Sequence, residues 1–492
     1  MSSESDSREL HPVGEDPFSF QFAPSGGKFH LSDCDEQLTA YGGLVAWDHF
    51  LQRTGIIEHL ATSYPVTRTS PNATPVRDIL QAFLLNCLIG GKRFAHCRRL
   101  QDDQAIARIL GMHRERLCGE DAFRRLCARL TPEQTRAWMR GGEDLLYNAL
   151  PQNCIADWDS TVNTRYGRQE DVAVGYNPHK PGRPSHHPLV CVIGGTRLAL
   201  HMAWRKGNTV SATAWQEAME EVWSRPQAQH RIKLNRGDIG FGQEKVMAWH
   251  EEADTHRPNF LFKLKLTKNV KRAIQGITWP EWSENTPRGL EQYAEIRLKL
   301  DGWSTSRRVV VSRTFKPVNP GPQDDFWIKG EEIVHAYVTN LPPEEADGPQ
   351  IIQLYRQRGD CENVFDELKN QWGFSGFCSG KAVVSESAAR LLLIIYNLWS
   401  IFARVLRGGG GHTEAVTSRY ELLMLPGRLV VSGRSRTMKL AVGKNLRAKL
   451  RAAYTRLQAW LGATAPQLTL TSGKPPPWSY FDPAQHPLIA PT

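Results

Sequence analysis

From residue 40 to about 150 the apolar positions recur at helical spacing. "GGLVAWDHFLQRTGIIEHLA", "PVRDILQAFLLNCLIGG" and "RLQDDQAIARILGM" each carry an apolar stripe at i, i+3 and i+4. In "LTPEQTRAWM", Thr131 followed by Pro132 marks a helix start. Short helices with glycine-bearing turns fit a helix-turn-helix module and equally a small bundle. Residues 36–150 are therefore read as a helical N-terminal DNA-binding region. Residues 1–35, polar and poor in apolar anchors, read as a flexible arm.

From about residue 153 the period changes. "NCIADWDSTV" is strand-like, and "HPLVCVIGGTRLALHMAW" reads as two strands around a Gly-Gly turn. "TAWQEAMEEVWSR" is helical, "HRIKLNRGDIGF" a strand entering a turn, "GQEKVMAWHEEAD" helical and "NFLFKLKL" a strand. That order predicts an α/β fold with a mixed sheet of about five strands. Residues 267–345 then read as a β-rich insertion, with "YAEIRLKL", "RRVVVSR" and "IVHAYVTNLP" as strands. The first part of the core is thus 151–266 and its second part 346–406. Residues 407–492 form a basic C-terminal region and a Pro-rich tail after the break "GGGG".

The stretch "IIQLYRQRGDCENVFDELKNQWG" (351–373) predicts one amphipathic helix. On a wheel of about 100° per residue, Tyr355, Arg358, Glu362 and Lys369 fall on one polar stripe. Leu354, Cys361, Phe365, Leu368 and Trp372 fall beside it as an apolar stripe, and Asp360, Asp366, Glu367 and Asn370 point toward solvent. Gly359 is the local objection, costing about 1 kcal/mol against Ala. The stripe alone is equally a surface ladder of ion pairs, each worth about 0.2–0.5 kcal/mol.

Composition narrows the classes. At 40% hydrophobic and 23% charged the chain reads as globular. The longest apolar run, "LLLIIYNLWSIF", is too short to span a bilayer, and no apolar leader is seen at the N-terminus. Nine cysteines without a CxxC pair read as reduced thiols in a cytoplasmic protein. The net charge is +10, and residues 404–456, with twelve Lys or Arg against two Glu, hold an excess of that size. Such a segment favours a nucleic acid.

Metal-dependent phosphoryl transfer requires several carboxylates around hard cations. Asp159 of "DWDST" and Asp238 of "RGDIGF" both sit at strand ends, where a crevice forms at the sheet edge. Glu362 completes a triad. Asp157 shares the strand face of Asp159. The loop "HKPGRPSHH", with His179, His186, His187, Lys180 and Arg183, lacks a Cys at zinc spacing and reads as a basic loop for the DNA backbone. No GxxxxGK[ST] is present, so no nucleotide cofactor is expected.

Tyr355, Arg358, Glu362 and Lys369 follow the spacing Y-(2)-R-(3)-E-(6)-K. This resembles the YREK signature of DDE transposases from bacterial cut-and-paste insertion sequences. "DST" at 159–161 and "RGDIGF" at 236–241 look like the first two catalytic blocks of that group. "GYNPHKPGRPSHHPLV" and "YRQRGDCENVFDELKNQWG" resemble more specifically the insertion-sequence family numbered 1380. The resemblance covers roughly 40–405. It implies an RNase H-like core interrupted by the β-rich insertion. It also implies that Asp159, Asp238 and Glu362 bind two Mg²⁺ ions, with Mn²⁺ as a substitute. Tyr355, Arg358 and Lys369 would hold DNA phosphates, and a Trp of the insertion (Trp279, Trp282, Trp303 or Trp327) would stack on an extruded base. The partners implied are double-stranded DNA, both transposon ends and target, and a second copy of the chain, with no membrane. A hairpin intermediate belongs to the same expectation. The alternatives are an inactive DNA-binding protein on this scaffold and a metal-dependent nuclease without strand transfer.

Overall fold

The computed structural model describes residues 20–463 apart from 32–33, 35, 211, 254–255, 281–282, 287–288, 318–329 and 410. The expected tail after 465, most of the arm, Trp282 and Trp327 lie outside the described residues.

The chain opens with a hairpin, β1 (Phe20–Phe22) and β2 (Phe29–Leu31), and a short β3 (Leu38–Thr39). Six helices follow: α1 (Leu44–Thr54), α2 (Ile56–Thr62), α3 (Val76–Leu88), α4 (Gln104–Ile109), α5 (Glu120–Cys127) and α6 (Pro132–Asn148). Thr131 caps α6 in a capping box with Gln134, and Pro132 stands at its first position, as the sequence predicts.

The sheet begins with β4 (Cys154–Ser160). Three short strands, β5 (Asn163–Thr164), β6 (Ala173–Val174) and β7 (Pro184–His186), form a small sheet of their own. β8 (Leu189–Ile193), β9 (Leu198–Ala203), α7 (Trp215–Trp223), α8 (Pro226–Arg231), β10 (Ile232–Gly237), α9 (Glu244–His250) and β11 (Asn259–Lys263) complete the block. The pairing of β4 is antiparallel with β8 and parallel with β10, and β10 is parallel with β11.

After α10 (Lys268–Gln275) come β12 (Ser283–Thr286), β13 (Gly289–Leu298), β14 (Arg307–Pro317) and β15 (Gly330–Thr339). Here the structure departs from the five strands expected. β15 pairs antiparallel with β11, and one nine-stranded sheet results, in the order β12-β13-β14-β15-β11-β10-β4-β8-β9. The open edge of β11 is a template for pairing, and the inserted strands cover it.

The other departure lies in 351–373. It forms two helices, α11 (Gly348–Arg356) and α12 (Gly359–Gln371), not one. At the break, Arg358 N–H donates to Tyr355 O at 3.0 Å and Cys361 N–H to Arg358 O at 3.0 Å, tighter than α-helical pairing. Gly359 opens α12 directly after this break. The apolar stripe is nevertheless buried throughout, from Leu354 to Trp372. Glu367, expected in solvent, is buried: it receives His412 Nε2 at 2.7 Å and the Ala415 N–H at 2.9 Å.

The sheet has two covered faces. On one, Ile155, Leu234, Leu261, Val310 and Tyr337 pack against Ile351, Ile352 and Leu354 of α11. On the other, Trp158, Phe260, Phe262, Val309 and Val338 join the main core with the N-terminal helices and α13 (Ala382–Arg407). By length and composition α13 is apolar enough to cross a membrane, longer than the run read from sequence, but its apolar window is wholly buried inside the protein. It is a core helix. Asn397 of α13 receives the Ala199 N–H at 2.8 Å and donates to Ala199 O at 2.7 Å, closing the edge of β9. α14 (Ala415–Leu422), the hairpin β16 (Gly427–Ser432) and β17 (Ser435–Leu440), and α15 (Lys444–Ala463) end the described chain.

Candidate active site

Alternation along β4 turns Ile155, Asp157 and Asp159 to the α11 face, and along β10 it turns Leu234, Arg236 and then Asp238 the same way. The two acids end on neighbouring parallel strands that stop at the same edge. Asp238 tightens the turn after β10 by accepting the Gly240 N–H at 2.9 Å. Asp159 accepts the Ser160 N–H at 2.8 Å on one oxygen and the Arg358 guanidinium at 2.7 Å on the other.

A cavity of about 610 Å³ opens at this edge. Asp238, Lys263, His335, Tyr337, Tyr355, Arg358 and Glu362 are among its lining residues. Three of the four stripe residues thus share one space although the helix breaks between them. Asp159 meets this space through Arg358. Glu362, in the first turn of α12, is exposed, and no described residue partners its carboxylate.

The electrostatics follow from crowding. Burial pushes the Asp159 carboxyl above its usual range; Arg358 opposes that and Asp238 adds to it. Arg358, buried and paired, is held firmly protonated. Burial raises the Tyr355 hydroxyl, whose ring packs tilted against Tyr337 with centroids 4.7 Å apart. Burial lowers the Lys369 ammonium, with Asp159 resisting, and does the same to Lys263 beside Arg358 and Asp238.

Asp157 has another task. It is fully buried and holds Arg236 through two hydrogen bonds of 2.6 and 2.8 Å, while Arg236 also donates to Leu354 O at the end of α11. It clamps the helix to the sheet.

Lys180 and Arg183 do not line the cavity. They sit over the exposed ring of Tyr166, at 5.4 and 5.7 Å, on the loop before β7. Of the histidines in that loop, His186 is packed: it accepts Arg165 Nε at 3.0 Å and donates to Glu170 O at 3.0 Å. His187 donates to Thr209 O at 2.8 Å. Trp303 lies under Arg307 at 5.2 Å and Trp279 under Arg313 at 4.4 Å. Sequence reasoning missed Lys263, His335 and Tyr337. Their signal was alternation, since each falls on the α11 face of its strand.

The transposase DDE domain group 1 model matches residues 27–461. The chain belongs to that family. It is a DDE-type DNA transposase, and DDE domains work with divalent metals. No curated protein matches the chain. Among solved structures, a cryo-EM piggyBac transposase synaptic complex with hairpin DNA aligns with 90% of this transposase and 85% of its own chain, at 11% identity and a TM-score of 0.43. A likeness that weak leaves the family resting on the domain match.

Proposed function

We propose that Asp159, Asp238 and Glu362 form the metal-binding catalytic set of this transposase, which cuts the terminal inverted repeats of its own insertion sequence and joins the freed ends to target DNA. One observation carries the reading: Asp238 and Glu362, far apart in sequence, line one cavity, and Arg358 of that cavity grips Asp159.

The donor set fits a hard divalent ion. All three groups are carboxylates, Glu362 lacks a partner among the described residues, and Asp238 has one oxygen engaged by a backbone N–H. When bound, two Mg²⁺ or Mn²⁺ ions supply charge stabilisation to the reacting phosphate. The chain's own residues do the rest. Arg358 orients Asp159 and keeps one of its oxygens from wandering. Lys263 makes the rim attractive to the phosphodiester, and Lys369, outside the lining but within the field of Asp159, adds positive charge nearby. Tyr355, fixed on Tyr337, and Arg358 border the strand to be cut. Lys180, Arg183 and Tyr166 present a basic and aromatic surface suited to the DNA backbone outside the cavity.

The order β9-β8-β4-β10-β11, with β8 alone antiparallel to its partner β4 among the central strands, supports an RNase H-like core. The segments "GYNPHKPGRPSHHPLV" and "YRQRGDCENVFDELKNQWG" support membership of the insertion-sequence family numbered 1380, and the Y-R-E-K spacing supports passage through a hairpin on the transposon end. Concerted cutting of two ends calls for a dimer on DNA. The test is incubation of the protein with DNA carrying the flanking ends, a supercoiled target and Mg²⁺. Joined products support transposition, whereas cleavage without joining means a nuclease.

A further inference from the structure

A second cluster lies behind the sheet. His201 of β9 is turned away from Asp159, toward α6 and α7. Its Nδ1 stands 4.0 Å from Glu143 Oε2 and its Nε2 stands 3.8 Å from Glu221 Oε2. Both gaps are too long for hydrogen bonds. His201 is 2% exposed, yet neither ring nitrogen has a hydrogen-bond partner among the described residues. Glu143 Oε2 and the buried hydroxyl of Tyr147, one turn along α6, also lack one. Four polar atoms on one buried spot are thus without hydrogen bonds, a rare and costly arrangement.

We propose that Glu143, His201 and Glu221 form a second metal site, taking a divalent transition ion such as Zn²⁺ or Mn²⁺. One ligand atom from each of the three lies within 4.8 Å of the others. Glu143 faces Nδ1 and Glu221 faces Nε2, so one carboxylate swings toward the nitrogen that the ion takes, and bonds of about 2.0–2.2 Å then form on one ion. The imidazole nitrogen selects a transition ion over Mg²⁺. A neutral imidazole offers the lone pair that a metal requires.

Charge agrees. Arg390 takes Glu143 Oε1 at 2.9 Å and also holds Glu386, while Arg225 takes Asp144 at 2.9 Å. Arg225 also stands 3.8 Å from Glu143 Oε2, beyond hydrogen-bond reach. Arg140 is bound to the Ser224 hydroxyl. Four carboxylates therefore face three guanidinium groups. The surplus carboxylate is Glu221, which faces His201 from α7 and has no ion pair with an arginine among the described residues. Glu221 is part-exposed, so an ion has an entry. Bound there, it fastens α6 and α7 to the edge strand β9.

The test uses the full chain carrying Asp238→Asn/Glu362→Gln, which removes two of the three acids proposed to hold metal at the cavity. Calorimetric titration with Zn²⁺ and with Mn²⁺ is expected to show one equivalent bound. His201→Gln in that background weakens binding at least tenfold, and so does Glu221→Gln, whose side chain is open enough to change without unfolding the protein. No transition-metal binding in the starting variant overturns the proposal. Binding unchanged by Glu221→Gln overturns it as well.

Discussion

The guanidinium of Arg358 meets the carboxylate of Asp159 at 2.7 Å, across 199 positions of sequence. Arg358 also donates to Trp158 O at 3.3 Å, and it is buried in the break between α11 and α12. The break is what brings a side chain of the helical layer down to the strand end. A straight helix would carry Arg358 past it.

Removing one partner of a buried ion pair costs about 3–5 kcal/mol, because the other is left charged and unsolvated. Arg358→Ala is therefore expected to lower the unfolding free energy by about that amount in urea titration. Arg358→Lys should restore part of the stability and less of the activity, since an ammonium keeps a charge for Asp159 but not the planar guanidinium that borders the cavity. Equal stability of Arg358→Ala and wild type would contradict the pairing.

Asp157 and Asp159 share a strand face but not a role. Asp157→Asn breaks the two-pronged grip on Arg236, with a loss of about 3–5 kcal/mol. The fraction that remains folded should cleave DNA at near wild-type rate. A well-folded Asp157→Asn without cleavage would place Asp157 among the catalytic acids.

Low pH should destabilise the fold through buried histidines. Burial holds His250 down to about 3 and His186 to about 4, below the usual 6.5. The unfolded chain takes up these protons first, so stability is complete above about pH 6.5 and is lost as pH falls toward 4. Each histidine contributes a slope of at most about 1.4 kcal/mol per pH unit. Asp48, raised by burial to about 6, opposes them below that value, and two histidines outweigh one aspartate. The thermal midpoint should drop between pH 7.5 and 5.5, and His250→Gln, weaker at pH 7.5, should show a shallower drop. Identical slopes would remove His250 from the account.

Lys180 and Arg183 lie outside the cavity, so replacing them should affect binding and spare chemistry. Lys180→Ala/Arg183→Ala should weaken DNA binding and reduce the slope of log K against log salt by about 2, roughly one unit for each phosphate no longer neutralised. Cleavage at saturating DNA should persist. An unchanged slope would mean that the loop touches no phosphate.

Much of this was legible in local pattern. The strands and helices from Cys154 to Lys263 follow their periods, and Asp159 and Asp238 fall at strand ends as read. Thr131 caps its helix where the motif says. What was not legible depends on partners distant in sequence. Glu367 looks like a solvent residue until His412 and Ala415 fold over it. The insertion looks like a separate body until β15 reaches β11. The wheel over 351–373 assumed one straight helix; Gly359 marked the break, but only the Arg358–Asp159 pair explains why the chain turns there.

The central claim is that three acids brought together at one sheet edge cut DNA with a divalent metal. Glu362→Gln tests it most directly, because Glu362 is exposed and holds nothing else in place. Wild type and variant should be compared for DNA binding and for Mg²⁺-dependent cleavage of the flanking ends. The account predicts equal binding and thermal stability, with cleavage reduced at least a hundredfold. Cleavage by Glu362→Gln at the wild-type rate would contradict it.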